Sequence, residues 1–138
     1  MNWKMEAKEK LQRLDAMRQA ARGLRLELDR VAGEQGRLTG DTCEDERMNL
    51  KVTCGDLQTA LESTKLWLQA VEGALGALSP EERLILSRLY IYPEKGGVDR
   101  LCDDLGLEQS SIYRRRDKAL HRFTVAMYGA GEGGLAYG

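Results

Sequence analysis

A chain of 138 residues is long enough for one domain, or for a small domain with an extended helical arm. Charged residues make up 31% of the chain and aromatic residues only 6%, a composition that favours an all-helical fold over a sheet. The formal net charge of −1 excludes a polycation that binds nucleic acid or anionic membrane along its whole length. Any basic site must therefore be local.

The cysteines and the apolar segments bear on metals and localisation. Cys43, Cys54 and Cys102 are odd in number and share no close spacing, which argues against a disulfide framework and against a zinc site. No stretch approaches the roughly 20 apolar residues of a membrane helix, and the N-terminus has no apolar signal segment. We expect a cytoplasmic protein with no metal, no cofactor and no membrane partner.

The first half of the chain carries two heptad patterns. Between them, Gly33, Gly36 and Gly40 predict the turn. Each pattern places one narrow apolar stripe along a helix, so we expect residues 1–78 to fold as a long antiparallel helical hairpin of the coiled-coil type. The same stripes could instead pair between chains and form a homo-oligomer such as a dimer. The first pattern consists of Trp3, Ala7, Leu14, Met17, Ala21, Leu24, Leu28 and Val31, interrupted at Lys10, where the neighbouring Leu11 can turn inward. The second, within residues 44–78, consists of Leu50, Cys54, Leu57, Leu61, Thr64, Leu68, Val71, Leu75 and Leu78.

Residues 79–128 predict a small three-helix domain with a helix-turn-helix. Ser79 can cap a new helix, with Pro80 at its first position and Glu82 completing a capping box, and Tyr92-Pro93 ends that helix. A short amphipathic helix over 98–105 is followed by Gly106, where a left-handed residue is needed, and then by a longer helix over about 110–128. The glycine-rich residues 129–138 are expected to be a flexible tail.

The last helix carries the candidate site. Residues 109–122 contain five cations and one acid, a local charge of about +4 of the kind that attracts phosphate. Ile112, Ala119, Leu120, Phe123 and Met127 share an inward face, so the opposite surface is free for a ligand. Arg114 and Tyr113 suit the reading of bases, whereas Ser111, Arg116 and Lys118 suit contacts with phosphate. The complete DNA-binding set predicted is Gln109, Ser110, Ser111, Tyr113, Arg114, Arg116, Asp117 and Lys118, with His121 as a surface residue or phosphate neighbour.

Three segments, 78–86, 105–107 and 111–120, resemble region four of bacterial sigma factors. They resemble more closely the phage regulators of the ArpU and RinA type, which control late gene expression in phages of Gram-positive hosts. The resemblance covers about 50 residues and implies a transcription regulator of phage or prophage origin that binds double-stranded DNA in a bacterial host cell. For a monomer it also implies RNA polymerase as a partner.

The chain departs from the sigma pattern at several points. Arg115 stands where sigma factors usually bury an aliphatic residue, so the resemblance would turn it inward. The segment 90–98 contains Pro93 and two glycines, and the heptad region is not sigma-like.

Two other functions fit the same elements. A DNA-packaging protein such as a small terminase subunit also combines a helix-turn-helix with an oligomerising helical region. A protein–protein interaction module that has lost DNA affinity is the second alternative. An enzyme is not expected, because the sequence contains no phosphate loop, nucleotide fingerprint or acid/base pair.

Overall fold

The computed structural model describes residues 2–38, 40 and 43–129, and every regular element within them is helical. The helices are α1 (Trp3–Gly36), α2 (Glu44–Gly76), α3 (Pro80–Leu86), α4 (Gly97–Leu105) and α5 (Gln109–Gly129). A π-helical turn, Ser87–Ile91, continues α3. The predicted all-α fold is therefore confirmed. The predicted tail lies outside the described residues apart from Gly129, which ends α5.

The chain divides into two compact units, one formed by residues 16–68 and the other by the two flanking parts of the chain. In the second unit, the described residues are 2–15 and 69–129. The beginning of α1 and the end of α2 thus belong with the three C-terminal helices, and the boundary at 78/79 expected from the sequence lies inside this unit.

The unit of residues 16–68 is a helical hairpin. It contains most of α1 and most of α2, and the link between them is so short that the two helices must run antiparallel. Val31 and Leu61, one from each heptad stripe, are buried, as the hairpin interpretation requires. On the outer surface, Arg30 pairs with Glu27 and Glu34, one turn before and one turn after it.

The turn of the hairpin differs from the sequence prediction. Gly33 and Gly36 do not interrupt α1, which continues to Gly36, so only Gly40 of the three glycines lies in the link. A glycine in a helix interior costs about 1 kcal/mol relative to alanine. The burial of apolar residues such as Val31 along the hairpin seam offsets that cost. Tertiary packing thus overrides local propensity here.

The first turns of α1 also differ from the predicted heptad. Ala7, Leu11 and Leu14 are buried, so Leu11 does replace Lys10 on the inward face. Trp3, which the pattern placed on the same stripe, is 37% exposed and packs edge-to-face against His121 of α5. Trp3 is therefore not a seam residue.

Helix α3 begins as its sequence predicts. Ser79 Oγ accepts a hydrogen bond from the Glu82 backbone N–H at 3.2 Å. In return, the Ser79 backbone N–H donates to Glu82 Oε1 at 2.9 Å, and Pro80 occupies the first turn. This complete capping box satisfies two backbone N–H donors at the helix start, those of Ser79 and Glu82, and separates α3 from α2.

The end of this helix contains a feature that the sequence did not predict. The Tyr92 N–H donates to the Ser87 carbonyl at 2.8 Å, an i to i−5 bond that widens the last turn into a π-helix. The chain then reaches Pro93, which cannot continue the helix, and Gly96 turns with a φ of +73° into α4. The predicted helix end at Tyr92-Pro93 is confirmed.

The turn between α4 and α5 forms at Gly106. Its φ is +66°, a left-handed conformation that side chains disfavour, and its N–H donates to the Cys102 carbonyl. The Leu107 N–H donates to the same carbonyl at 3.1 Å. The short helix, the glycine turn and the longer helix of the predicted helix-turn-helix are all present.

The core of this domain is formed where α3, α4 and α5 meet. Ile85, Leu101 and Ile112, one from each helix, are fully buried in one cluster. Six partly buried residues pack around it: Leu84, Leu89, Val98, Cys102, Leu105 and Leu107. This core fixes the rotation of α5 about its axis, and with it the residues that α5 presents to the outside.

We predict that Ser79→Ala lowers the free energy of unfolding by about 1 kcal/mol, because the Glu82 N–H loses its acceptor at the helix start. Urea unfolding followed by circular dichroism measures the change. Gln12→Ala, at an exposed site inside α1, is the control and should leave stability unchanged or slightly raised. Equal midpoints for wild type and Ser79→Ala would contradict the role of the capping box.

Candidate nucleic-acid interface

The buried side of α5 is built from residues that the sequence placed there. Ile112, Ala119, Leu120 and Phe123 are fully buried, as predicted for the inward face, and Met127, its fifth predicted member, is partly buried. Their spacing of three, four and seven residues keeps them on one side of the helix. The N-terminal half of α5 therefore turns a defined opposite side outward.

Ser110, Arg114 and Lys118 form the centre of that outward side. They are spaced four residues apart, so they lie one above the other along the helix, and all three are exposed. Arg114 Nη2 donates to Ser111 Oγ at 3.1 Å, which lays the guanidinium back toward the first turn of α5. We call Ser110, Arg114 and Lys118 the central line.

Gln109 and Tyr113 flank the central line at the start of the helix. Tyr113 is 38% exposed, so its ring is available to a ligand on one side. Gln109 is exposed as well, but its Nε2 donates to Asp99 Oδ1 at 3.3 Å and so ties α5 to the start of α4. A base or phosphate would have to compete with Asp99 for this amide.

Arg116 occupies a more enclosed position than the other predicted site residues. Its side chain is 23% exposed, its guanidinium carbon lies 4.9 Å from the Tyr113 ring centroid, and its Nε donates to Asp117 Oδ1 at 3.0 Å. Burial raises the pKa of the nearby Tyr90 phenol, although the Arg116 charge acts in the opposite direction. Arg116 thus organises the two tyrosines, and its contact with phosphate stays a prediction.

Asp117 is the one acid on this part of α5, and two cations hold it. Arg116 is one, and Lys4 from the first turn of α1 is the other, with its Nζ 3.4 Å from Asp117 Oδ2. Desolvation opposes ionisation of Asp117, but the hydrogen bond from Arg116 and the charges of Arg116 and Lys4 outweigh it and lower its pKa. The carboxylate is therefore a point of attachment between α1 and α5.

The other flank of α5 faces the start of α3. Arg115 forms an ion pair with Glu81, and Arg122 Nη1 lies 3.0 Å from Glu82 Oε1. Arg115 is exposed, so the inward position implied by the sigma resemblance is wrong for this chain. The reason is that an arginine here finds a carboxylate on α3 and needs no place in the core.

Glu82 is the most buried charged group of the site. Its Oε1 is bonded to Ser79, while its Oε2 is buried and has no hydrogen-bond partner among the described residues. Burial by itself would raise the pKa of Glu82, but the hydrogen bonds from Ser79 and the charges of Arg122 and Lys118 together lower it. The carboxylate therefore links the α3 cap to the basic flank of α5.

Some residues that belong to this surface were not predicted from the sequence. Lys4 reaches Asp117, Lys8 lies over the Tyr90 ring, and Trp3 packs on His121 with 5.5 Å between ring centroids. More than 80 residues separate the members of each of these pairs in the chain, and no local motif signals such contacts. His121 is exposed, in agreement with its predicted place on the surface.

The described residues contain no group of three or more His, Cys, Asp or Glu side chains placed to hold a metal ion. None of the helices formed by these residues combines the length and the apolar character that a membrane crossing requires. Cys43, Cys54 and Cys102 are free thiols.

Comparison with known proteins adds no identification: no family model, no curated protein and no solved structure matches this chain. The central line offers hydroxyl, guanidinium and ammonium groups, and the flanks offer further cations beside a tyrosine ring. Such a surface suits a ligand with many anionic oxygens and flat polar edges.

We predict that Asp117→Asn makes stability less dependent on pH in acid. The lowered pKa of Asp117 contributes stability that is present above its ordinary value of 3.8 and is lost as the pH falls through the lowered value. The variant should be less stable than wild type at pH 7, and the two should converge near pH 2. Urea midpoints at both pH values measure this. A constant difference between the two proteins would show that Lys4 and Arg116 do not stabilise the carboxylate.

Proposed function

We propose that this protein binds double-stranded DNA at specific sequences and regulates transcription. The observation that carries the proposal is the central line on the first half of α5, directly after a left-handed glycine turn and opposite a fully buried apolar face. In a helix-turn-helix protein the second helix enters the major groove with its N-terminal residues against base edges. The sigma-like resemblance supports the same use of α5 and a phage or prophage origin.

The proposed roles follow from the position of each side chain. Arg114 and Tyr113 read base edges, since both are exposed near the start of α5 and arginine can bond bidentately to guanine. Ser111 and Lys118 contact phosphate, as a hydroxyl near a helix N-terminus and an exposed ammonium group can. The guanidinium of Arg116 packs against the Tyr113 ring and adds a positive charge beside it.

The charges of α4 exclude this helix from the proposed interface. Asp99, Asp103 and Asp104 are exposed acids on the helix before the turn, and they would repel a phosphate strand laid across α4. Asp104 is paired with Arg88 of the π-helical turn. Phosphate contacts should therefore come from outside α4, and the base contacts of α5 should favour specific over non-specific sites.

Selection of bound duplexes from a random pool, with the mass of the free protein measured in parallel, tests the proposal. Recovery of a consensus bound by a monomer or dimer supports a regulator, and a monomer would favour RNA polymerase as its partner. Ring-sized oligomers would move the function to DNA packaging. Absence of salt-dependent binding to any duplex would overturn the proposal in favour of a protein–protein interaction module.

We predict that Arg114→Ala weakens binding to the selected site by about 1 to 3 kcal/mol, because a bidentate contact to a base is lost. Binding to a scrambled duplex should change much less. Fluorescence anisotropy on the two duplexes measures both affinities, and Arg25→Ala, at an exposed position on α1, is the control for loss of one positive charge. An equal loss on both duplexes would reduce Arg114 to a phosphate contact.

The outward face of α2 suits a homodimer. Positions 48, 52, 55, 59, 63 and 66 lie along one side of α2 and carry no charge. The three large apolar residues among them are more than half exposed: Met48 at 60%, Val52 at 54% and Leu66 at 59%. Because the heptad stripes are used within the hairpin, we propose this second stripe, and not the predicted one, as the dimer contact.

A second copy of the chain fits this face by charge. Lys51 and Asp56 stand on opposite edges of the stripe, five residues apart. In a parallel pair of helices, this spacing brings each Lys51 toward Asp56 of the other copy. Two copies of α5 could then address two half-sites separated by about one helical turn of DNA, or by a multiple of it.

We predict that Val52→Glu with Leu66→Glu converts the dimer to a monomer while helicity is retained, since both residues are exposed in the single chain. Sedimentation equilibrium measures the mass. Gln12→Glu with Gln19→Glu adds the same charge at exposed positions on α1 and should leave the mass at two chains. A wild-type mass of one chain would exclude the dimer.

A further inference from the structure

The first two turns of α1 lie along one flank of α5. Lys4 Nζ is 3.4 Å from Asp117 Oδ2, and Trp3 packs edge-to-face on His121. One helical turn further along α1, Glu6 accepts a hydrogen bond from the Tyr128 hydroxyl at 3.5 Å. These contacts belong to a single compact unit, so the beginning of α1 has a fixed place beside the proposed recognition helix.

Three cations from two helices gather on this flank. Lys4 stands at Asp117, Lys8 Nζ lies 5.8 Å from the Tyr90 ring centroid, and Arg116 lies between Asp117 and Tyr113. Lys4 and Lys8 are one helical turn apart, so they are on the same side of α1. The side chain of Lys4 is 39% exposed, which leaves part of its ammonium group open to a ligand.

We propose that Lys4 and Lys8 are phosphate-binding residues, so that the nucleic-acid interface includes the start of α1. This inference rests on the proposed function of α5. A helix with its side chains is about 10–12 Å wide and the major groove about 12 Å, so the flanks of an inserted helix meet the two phosphate walls. One flank of α5 carries Arg115 and Arg122 of its own. The other carries Asp117, and its positive charge comes largely from α1.

The placement of Asp117 supports this assignment. An unpaired carboxylate on the flank of a recognition helix would repel the phosphate wall beside it. Lys4 and Arg116 neutralise Asp117, and Lys8 then leaves the flank with a positive balance. Asp117 thus holds Lys4 beside α5, where the phosphate wall would lie. Within the predicted DNA-binding set we therefore assign Asp117 as a positioning residue.

The test is Lys4→Gln with Lys8→Gln, assayed on the selected duplex and on a scrambled one over a range of salt concentrations. Each phosphate contact contributes about 0.9 to the slope of log affinity against log salt concentration. The double variant should therefore lower the slope by about two. The double variant should also lower the affinity for both duplexes by the same factor, because phosphate contacts carry no information about the base sequence. Arg22→Gln with Arg25→Gln removes two positive charges at exposed positions further along α1 and should keep the wild-type slope.

Lys4→Arg with Lys8→Arg separates charge from packing. If the ammonium groups bind phosphate, this variant should restore the slope, whereas persistent loss would overturn the inference in favour of a structural role. An unchanged slope in the glutamine variant would also overturn it. In that case, if Arg114→Ala still weakens binding to the selected duplex, the proposed function of α5 is retained and only the role of α1 is excluded. If the wild-type chain binds no duplex, the proposed function itself fails.

Discussion

The burial of Ile112 against Ile85 and Leu101 determines which residues α5 can offer to a ligand. A helix turns by about 100° per residue, so a change of one position in the buried set would rotate the central line away from solvent. Had Arg115 been an aliphatic residue packed inward, the buried face of α5 would extend toward the side of the helix that carries Arg115 and Arg122. Because it is an arginine paired with Glu81, that flank stays polar and Arg114 stays at the centre.

Glu82 connects the start of α3 to the same helix. It completes the capping box with Ser79 and also faces Arg122, so one carboxylate both begins α3 and holds the basic flank of α5 in place. One of its oxygens is buried without a hydrogen-bond partner among the described residues, a state that costs free energy. The charge of Arg122 offsets part of this cost. A glutamine could keep the cap but would give up the ionic link.

The local motifs of the sequence predict much of the fold. The cap at Ser79 and the turn at Gly106 are each set by contacts within a few residues, and both are confirmed. The inward face of α5 packs against other helices, but its apolar periodicity within the helix signals it. The turn of the hairpin begins after Gly36, later than predicted, because the packing of a long stripe outweighs the cost of Gly33 in the helix interior. The contacts of Trp3 and Lys4 with α5 could not be predicted, since they join segments more than 110 residues apart and have no periodic signal.

The chain carries a formal charge of −1, and yet α5 presents several cations, because cations outnumber acids on this helix while many of the acids lie elsewhere in the chain. The acids of α4 and of α3 are largely paired with arginines and glutamine around them, while the cations of the central line point outward. Residues 109–122 contain five cations and one acid, so the charge of this segment lies well above that of the whole chain. If α5 meets DNA as proposed, this local excess of cations would attract the polyanion to α5 before any base is read.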